Sequence, residues 1–104
     1  MTVFFVSRHP GAIAWAKSKS LPVDRWLTHL DPAEVNPGDV VVGVLPIAAA
    51  EILCAKGTRF VALEMDLPEN LRGRELTQAE LEQLQCRLTE FRVTRVEGDW
   101  TKRA

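Results

Sequence analysis

The sequence has no long hydrophobic run, and this argues against a location within a membrane. Apolar stretches such as Ile47–Ala50 are far shorter than the roughly 20 residues that cross a bilayer. Met1 leads directly into an apolar strand rather than into a charged leader with a hydrophobic core. We therefore expect a cytoplasmic protein with no membrane partner.

Cysteine is scarce, and the motifs of several cofactor classes are missing. Cys54 and Cys86 have no CxxC spacing, so both are expected to be small core residues in a reducing compartment. The chain contains neither GxGxxG nor GxxxxGKS/T, which leaves dinucleotide binding and P-loop chemistry unsupported. No histidine and cysteine set has zinc spacing, and Asp31, Glu64 and Asp66 lack the dense ligand cluster that favours Mg²⁺. We expect neither a metal nor a cofactor.

Positive charge is limited and is concentrated in the first third of the chain. Residues 1–30 carry four basic side chains and one acidic one, whereas the remainder holds nine basic and thirteen acidic ones. A protein that binds a long duplex usually needs a strongly basic face, which this composition does not supply. A compact phosphate compound needs only a few local charges and is the expected partner.

The most informative stretch is the first predicted strand and the turn after it. Val3–Val6 combines aromatic and β-branched residues and predicts a strand buried on both faces. Ser7–Gly11 is a polar turn, and a segment with a helical apolar stripe follows. Open α/β sheets bind ligands beyond the carboxyl end of a strand, where a helix start presents unpaired N–H groups and a positive dipole end. The turn therefore predicts an anion site, most naturally for a phosphate.

The rest of the chain predicts further strands and helices around this first unit. Asp31 and Pro32 predict a short helical turn, and Thr77 with Glu80 fits a capping box. Residues 1–97 are expected to form one domain, with residues 98–104 as a C-terminal tail. The predicted helices cover 11–18, 47–56 and 77–85, and the predicted strands cover 3–6, 23–30, 40–45, 58–63 and 87–96.

This order of elements predicts the α/β class, as a small three-layer sandwich with a mainly parallel five-stranded sheet. Right-handed crossovers favour the strand order 2-1-3-4, with the last strand at an edge. The carboxyl ends of the first and third strands are then neighbours. Ser7–Gly11 and Gly43–Ile47 are expected to share one pocket there.

The turn also supplies the candidate catalytic residues, which are Ser7, Arg8 and His9. The planar guanidinium of Arg8 suits a phosphate, and its place beyond a buried strand directs it into the crevice. Ser7 could donate its hydroxyl to the ligand or cap the first helix. His9 could act as an acid or a base, because imidazole exchanges a proton near neutral pH, or it could be a turn residue without chemistry.

A second set of residues is predicted to contact the substrate. Gly11 would allow close approach to the backbone, Trp15 could stack on a base or lie in the core, and His29 is a second imidazole or a core residue. Arg72 and Arg74 flank a glycine and could close over a phosphate. The candidate binding residues are Pro10, Gly11, Ala12, Trp15, His29, Gly43, Leu45, Pro46 and Arg72.

A set of short motifs is spread over almost the whole chain. They are Phe4–Ala12 followed by Trp15, then Asp24-Arg25-Trp26, His29-Leu30-Asp31, Gly38-Asp39, Gly43–Pro46 and Arg72-Gly73-Arg74-Glu75-Leu76. The set resembles the motifs of small CRISPR-associated accessory proteins, the Csx group of type III systems. The opening motif is fairly specific.

The resemblance implies a ring nuclease, which cuts cyclic oligoadenylate messengers and so switches off the effector nucleases that they activate. It further implies cyclic tetra-adenylate as the substrate, a homodimer with the ring on its two-fold axis, cleavage without a metal, and a Rossmann-like, CARF-like fold. Cleavage would use a ribose 2′-OH in line with the neighbouring phosphorus, with Arg8 and helix amides stabilising the phosphoryl oxygens. His9 or His29 would assist proton transfer, and the linear products would end in a 2′,3′-cyclic phosphate.

Two other functions stay open at this point. A non-enzymatic sensor or sponge would bind the same messenger in the same phosphate pocket without cutting it. Arg8-His9 after a first strand is also similar to the Arg-His-Gly motif of histidine phosphatases, in which the histidine becomes phosphorylated. Here Pro10 separates His9 from Gly11, and the short chain leaves little room for that fold's second histidine.

Overall fold

A computed structural model describes residues 1–102, and its five strands form a single sheet. Their order across the sheet is β2-β1-β3-β4-β5, with the first four parallel and β5 antiparallel to β4. The predicted mainly parallel sheet with its last strand at an edge is confirmed. The strands are β1 (Val3–Val6), β2 (Arg25–Leu27), β3 (Val40–Gly43), β4 (Arg59–Glu64) and β5 (Arg87–Phe91).

Three helices complete the sandwich: α1 (Pro10–Ser18), α2 (Ile47–Ala55) and α3 (Gln78–Gln83). Helices α1 and α3 cover one face of the sheet, and α2 packs on the other, so the predicted three layers are confirmed. None of the helices within residues 1–102 has the length and apolarity needed to cross a membrane. Short 3₁₀ turns lie at Pro32–Glu34, Glu69–Leu71 and Trp100–Lys102.

Alternate residues of the central strand β1 enter two separate cores. Phe5 packs under α1 and α3, with Trp15 among its neighbours, whereas Phe4 packs on the opposite face with Leu53 of α2. All four residues of β1 and all four of β3 are buried. Coverage of both faces explains why these two segments are continuous apolar runs rather than alternating ones.

The two edge strands are shorter than the sequence predicted. Strand β2 has three residues instead of the eight of 23–30, and β5 ends at Phe91 instead of residue 96. Beyond β5 the chain crosses to α2, where the Val93 N–H donates to Cys54 Sγ and Arg95 pairs with Glu51 at 2.8 Å. These contacts draw the chain away from β4, so the sheet ladder stops. Of the predicted tail, residues 98–104, the last two residues lie outside the described residues.

Asp39 fastens the start of β1 to the turn before β3. Its carboxylate is buried, with 6% of the residue exposed, and it accepts N–H groups from Thr2 and Asn36, both at 2.9 Å. The bond from Thr2, followed by that from Asn36, lowers the pKa of Asp39 below its ordinary value. The stabilisation is therefore present above the pKa of the unfolded carboxyl and is lost as the pH falls through the folded pKa.

We expect Asp39→Asn to lower the urea midpoint at pH 7 and to flatten its dependence on pH below about 4, where an unfolded aspartate titrates. Urea unfolding at a series of pH values from 7 downward measures both effects. The exposed Glu97→Gln removes the same charge and serves as the control. Parallel stability curves for the native protein and Asp39→Asn would contradict the role of this carboxylate.

Candidate functional site

A cavity of about 910 Å³ opens at the carboxyl ends of β1 and β3. From β1 the chain continues to β2 on one side of the sheet, and from β3 it continues to β4 on the other side. The cavity therefore lies where the strand order reverses. Ligands of open α/β sheets bind at such switch points, and the volume lies within the range typical of small-molecule sites. Ser7–His9 and Val44–Pro46 both line it, so the structure brings together the two turns that the predicted strand order placed side by side.

The cavity has an aliphatic floor and a polar rim. Buried side chains such as Leu53, Leu63 and Leu81 form the floor. A floor of this kind suits an apolar group, and the rim suits a polar or charged one. The polar residues that line the cavity are Ser7, Arg8, His9, Thr28, His29, Arg74 and Glu75.

Arg8 offers an unpaired positive charge at this rim. It is exposed, and its guanidinium forms no salt bridge or hydrogen bond with any of residues 1–102. Several other arginines are paired with a carboxylate, among them Arg59 with Glu90 at 2.7 Å and Arg95 with Glu51 at 2.8 Å. The Arg8 guanidinium is thus available to an anion without first leaving a carboxylate.

Ser7 and His9 shape the turn that carries Arg8. The Ser7 N–H donates to the Leu27 carbonyl at 2.9 Å, and its Oγ accepts the His9 N–H at 3.0 Å. The hydroxyl proton of Ser7 is left for another acceptor. His9 is the N-cap of α1 in an extended conformation, and its imidazole makes no capping bond, so the side chain is exposed at the cavity.

Two helix N-termini lie beside the cavity, one from each face of the sheet. In α1 the first residue is Pro10, so Gly11 and Ala12 are the first N–H groups without an intrahelical acceptor. Helix α2 begins after Pro46, which also makes no side-chain cap. Both helix starts add a partial positive charge to the surroundings of Arg8.

The structure divides the predicted binding residues into two groups. Pro10, Gly11, Trp15, Gly43 and Arg72 do not line the cavity, although Gly43 lines a smaller groove beside β5. Trp15 is 4% exposed in the core beneath α1, where a base cannot stack on it. The residues that do line the cavity are Ala12, His29, Leu45 and Pro46, together with the candidate catalytic Ser7, Arg8 and His9.

The two predicted glycines make room for backbone rather than for a ligand. A Cβ on Gly11 would lie 1.9 Å from the Leu76 carbonyl oxygen, and one on Gly43 would lie 2.3 Å from that of Val6. Gly43 also has a φ of +149°, which favours glycine. Because Gly11 has no side chain, the loop before α3 can pack directly against α1. In the same way, Gly43 allows β3 to lie close to β1.

We expect Gly11→Ala to destabilise the fold by about 1–3 kcal/mol, because the added methyl forces the Leu76 carbonyl away from α1. Denaturant unfolding measures this change. Without such a clash, Gly to Ala inside a helix stabilises by roughly 0.5–1 kcal/mol. A Gly11→Ala variant as stable as the native protein, or more stable, would contradict the close packing of the two segments.

Sequence reasoning favoured Arg72, whereas the structure places Arg74 at the cavity. Arg74 pairs with Glu80, and Glu80 also closes the capping box of α3 by accepting the Thr77 N–H at 3.0 Å. The Thr77 hydrogen bond, and then the Arg74 charge, lower the pKa of Glu80. The capping box in the sequence could have indicated the position of Arg74, because it fixes the Glu80 carboxylate with which Arg74 pairs.

The acidic residues near the end of β4 contact an arginine. Glu64 and Asp66 lie 4.0 Å and 3.5 Å from the Arg87 guanidinium. Across residues 1–102, no three histidine, cysteine, aspartate or glutamate side chains are grouped so as to hold a metal ion.

A family model described as "Putative CRISPR-associated protein (Cas_VVA1548)" matches residues 4–94. The matched span contains all three helices and every polar side chain that lines the cavity. No curated protein and no solved structure matches the chain.

Proposed function

Since this chain belongs to the CRISPR-associated family whose model matches residues 4–94, we propose that it is a cytoplasmic ring nuclease of type III CRISPR signalling. Its substrate would be cyclic tetra-adenylate, cleaved without a metal. The observation that carries the proposal is the cavity at the switch point of the sheet, where the unpaired Arg8 and two imidazoles meet an aliphatic floor.

The chemistry of the cavity fits a small cyclic oligonucleotide. Such a ligand alternates phosphates with flat, largely apolar bases. Arg8 and the N–H group of Ala12, which has no intrahelical acceptor, suit a phosphate, while the aliphatic side chains below suit the face of a base. The limited positive charge of the chain suits a compact ligand better than a long duplex.

The proposed reaction is a transesterification within the ring. The ribose 2′-oxygen forms a bond to the adjacent phosphorus, the bond from phosphorus to the 5′-oxygen breaks, and a 2′,3′-cyclic phosphate remains. One imidazole, from His9 or His29, takes the proton of the 2′-hydroxyl, and a proton returns to the departing 5′-oxygen. Arg8 stabilises the negative charge that grows on the phosphoryl oxygens, and holding the ribose in line supplies the rest of the acceleration.

We further propose that two copies of the chain share one ring. Val44 and Ile47 are 67% and 76% exposed, and they lie at the β3–α2 turn beside the cavity. A second copy that covered these side chains would bring its own Arg8 to the other half of a ring with two-fold symmetry. The mass of the particle in solution, with and without the ligand, tests this arrangement.

The decisive assay is incubation of the purified protein with cyclic tetra-adenylate in EDTA, with the products separated by chromatography. Linear products that end in a 2′,3′-cyclic phosphate are the expected result. Intact ligand that stays bound would replace the enzyme with a sensor or sponge. In a parallel incubation with a phosphate monoester, release of inorganic phosphate would instead indicate a phosphatase. A protein that neither binds nor cleaves the ring would overturn the proposal.

A further inference from the structure

One carboxylate lines the cavity, and nothing in the part of the chain that the structure describes neutralises it. Glu75 is exposed at the rim and forms no salt bridge or hydrogen bond with any of residues 1–102. The adjacent Arg74 is directed to Glu80 instead. A free negative charge thus shares a cavity with the free positive charge of Arg8.

A carboxylate in an anion site weakens phosphate binding by repulsion, unless the ligand brings a hydrogen-bond donor to it. An ionised carboxylate accepts hydrogen bonds and donates none. The exocyclic amino group of adenine is such a donor, and bonds from it to a charged acceptor are among the stronger ones. Glu75 would therefore discriminate between bases while Arg8 binds the phosphate.

The segment that carries Glu75 is held on both sides. On one side Arg74 is anchored by Glu80, and on the other the Leu76 carbonyl packs against Gly11 of α1. The capping box then fixes Thr77, whose Oγ accepts the Glu80 N–H at 3.2 Å. A held backbone limits the positions that the Glu75 carboxylate can reach, which specific recognition requires.

Aliphatic side chains beside Glu75 supply a surface for the rest of the base. Met65, Leu67 and Leu76 line the cavity next to this segment. They are partly buried, so a planar ring placed over them would remove apolar surface from water. Its amino edge would then face the carboxylate.

We propose that Glu75 selects adenine, by accepting a hydrogen bond from the exocyclic amino group of a base that lies on this aliphatic surface. The inference rests on the proposed function, since it requires a cyclic oligonucleotide in the cavity. It adds the residue that distinguishes an adenine ring from a ring of purines without an exocyclic amino group.

The test compares two synthetic cyclic tetranucleotides by calorimetry. Both carry 2′-fluoro riboses, which cannot form the cyclic phosphate, and they differ only in the base, adenine in one and unsubstituted purine in the other. We expect the native protein to bind the adenine ring at least about tenfold more tightly. In Glu75→Ala the ratio should fall to about one, and in Glu75→Gln, which keeps a neutral acceptor, it should be intermediate.

Glu69→Ala is the matched control, because Glu69 is an exposed acid of the same loop that does not line the cavity. It should keep the native ratio. Equal binding of the two rings by the native protein, or an undiminished ratio in Glu75→Ala, would overturn the role of Glu75 while leaving the proposed function intact. Failure to bind either ring would overturn the proposed function and this inference together.

Discussion

Replacing Arg8 with alanine is expected to slow cleavage of cyclic tetra-adenylate by about 10²–10³-fold, the loss typical of removing one donor to a developing oxyanion. The exposed Arg8 guanidinium forms no salt bridge or hydrogen bond with any of residues 1–102, so the truncation should leave the fold unchanged. Single-turnover rates measure the first effect, and thermal unfolding measures the second.

Arg59→Ala is the control for this experiment. Arg59 begins β4, at the end of the sheet opposite to the cavity, and its exposed pair with Glu90 is screened by solvent and adds little to stability. It removes the same charge without touching the site, so cleavage should persist. Equal losses in the two variants would mean that only overall charge matters, and full activity in Arg8→Ala would remove Arg8 from the site.

Replacing His9 with alanine should lower the rate by about 10²–10⁴-fold with the ring still bound, since proton transfer is the lost contribution. The His9 imidazole makes no capping bond to α1, so its loss should cost little stability. Cleavage rates and binding of the uncleavable 2′-fluoro ring separate the chemical step from affinity.

His29→Ala is the companion variant, because His29 is the other histidine of the chain and also lines the cavity. A comparable loss would divide the two proton transfers between the imidazoles, whereas full activity would assign the chemistry to His9 alone. Undiminished cleavage by His9→Ala would contradict its proposed role.

The sheet could be predicted because its central strands have a simple physical signature. Val3–Val6 and Val40–Gly43 are covered on both faces, so their sequences contain no polar alternation. The ends of β2 and β5 could not be predicted in the same way. Their lengths depend on contacts distant in sequence, such as Val93 with Cys54, which local pattern does not contain.

The first turn of the site could be predicted for a topological reason, since a polar turn after a central parallel strand must lie at the carboxyl edge of the sheet. The opposite wall of the cavity, which the segment with Arg74 and Glu75 forms, could not be predicted from the sequence. Whether Arg72 or Arg74 faces the cavity depends on the pairing of Arg74 with Glu80 and on the packing of Leu76 against Gly11. For the same reason the sequence did not predict Glu75 as a site residue. It also suggested that a ligand approaches Gly11, whereas the Leu76 carbonyl packs there.

The central claim is that the corner between β1 and α1 holds a phosphate of the ring. It is tested most directly by titrating ¹⁵N-labelled protein with the 2′-fluoro adenine ring and following the backbone amides and arginine side chains by NMR. The predicted result is that the largest shifts fall on the amide of Ala12 and on the Arg8 Nε–H. Largest shifts at a different surface, with these two signals unmoved, would contradict it.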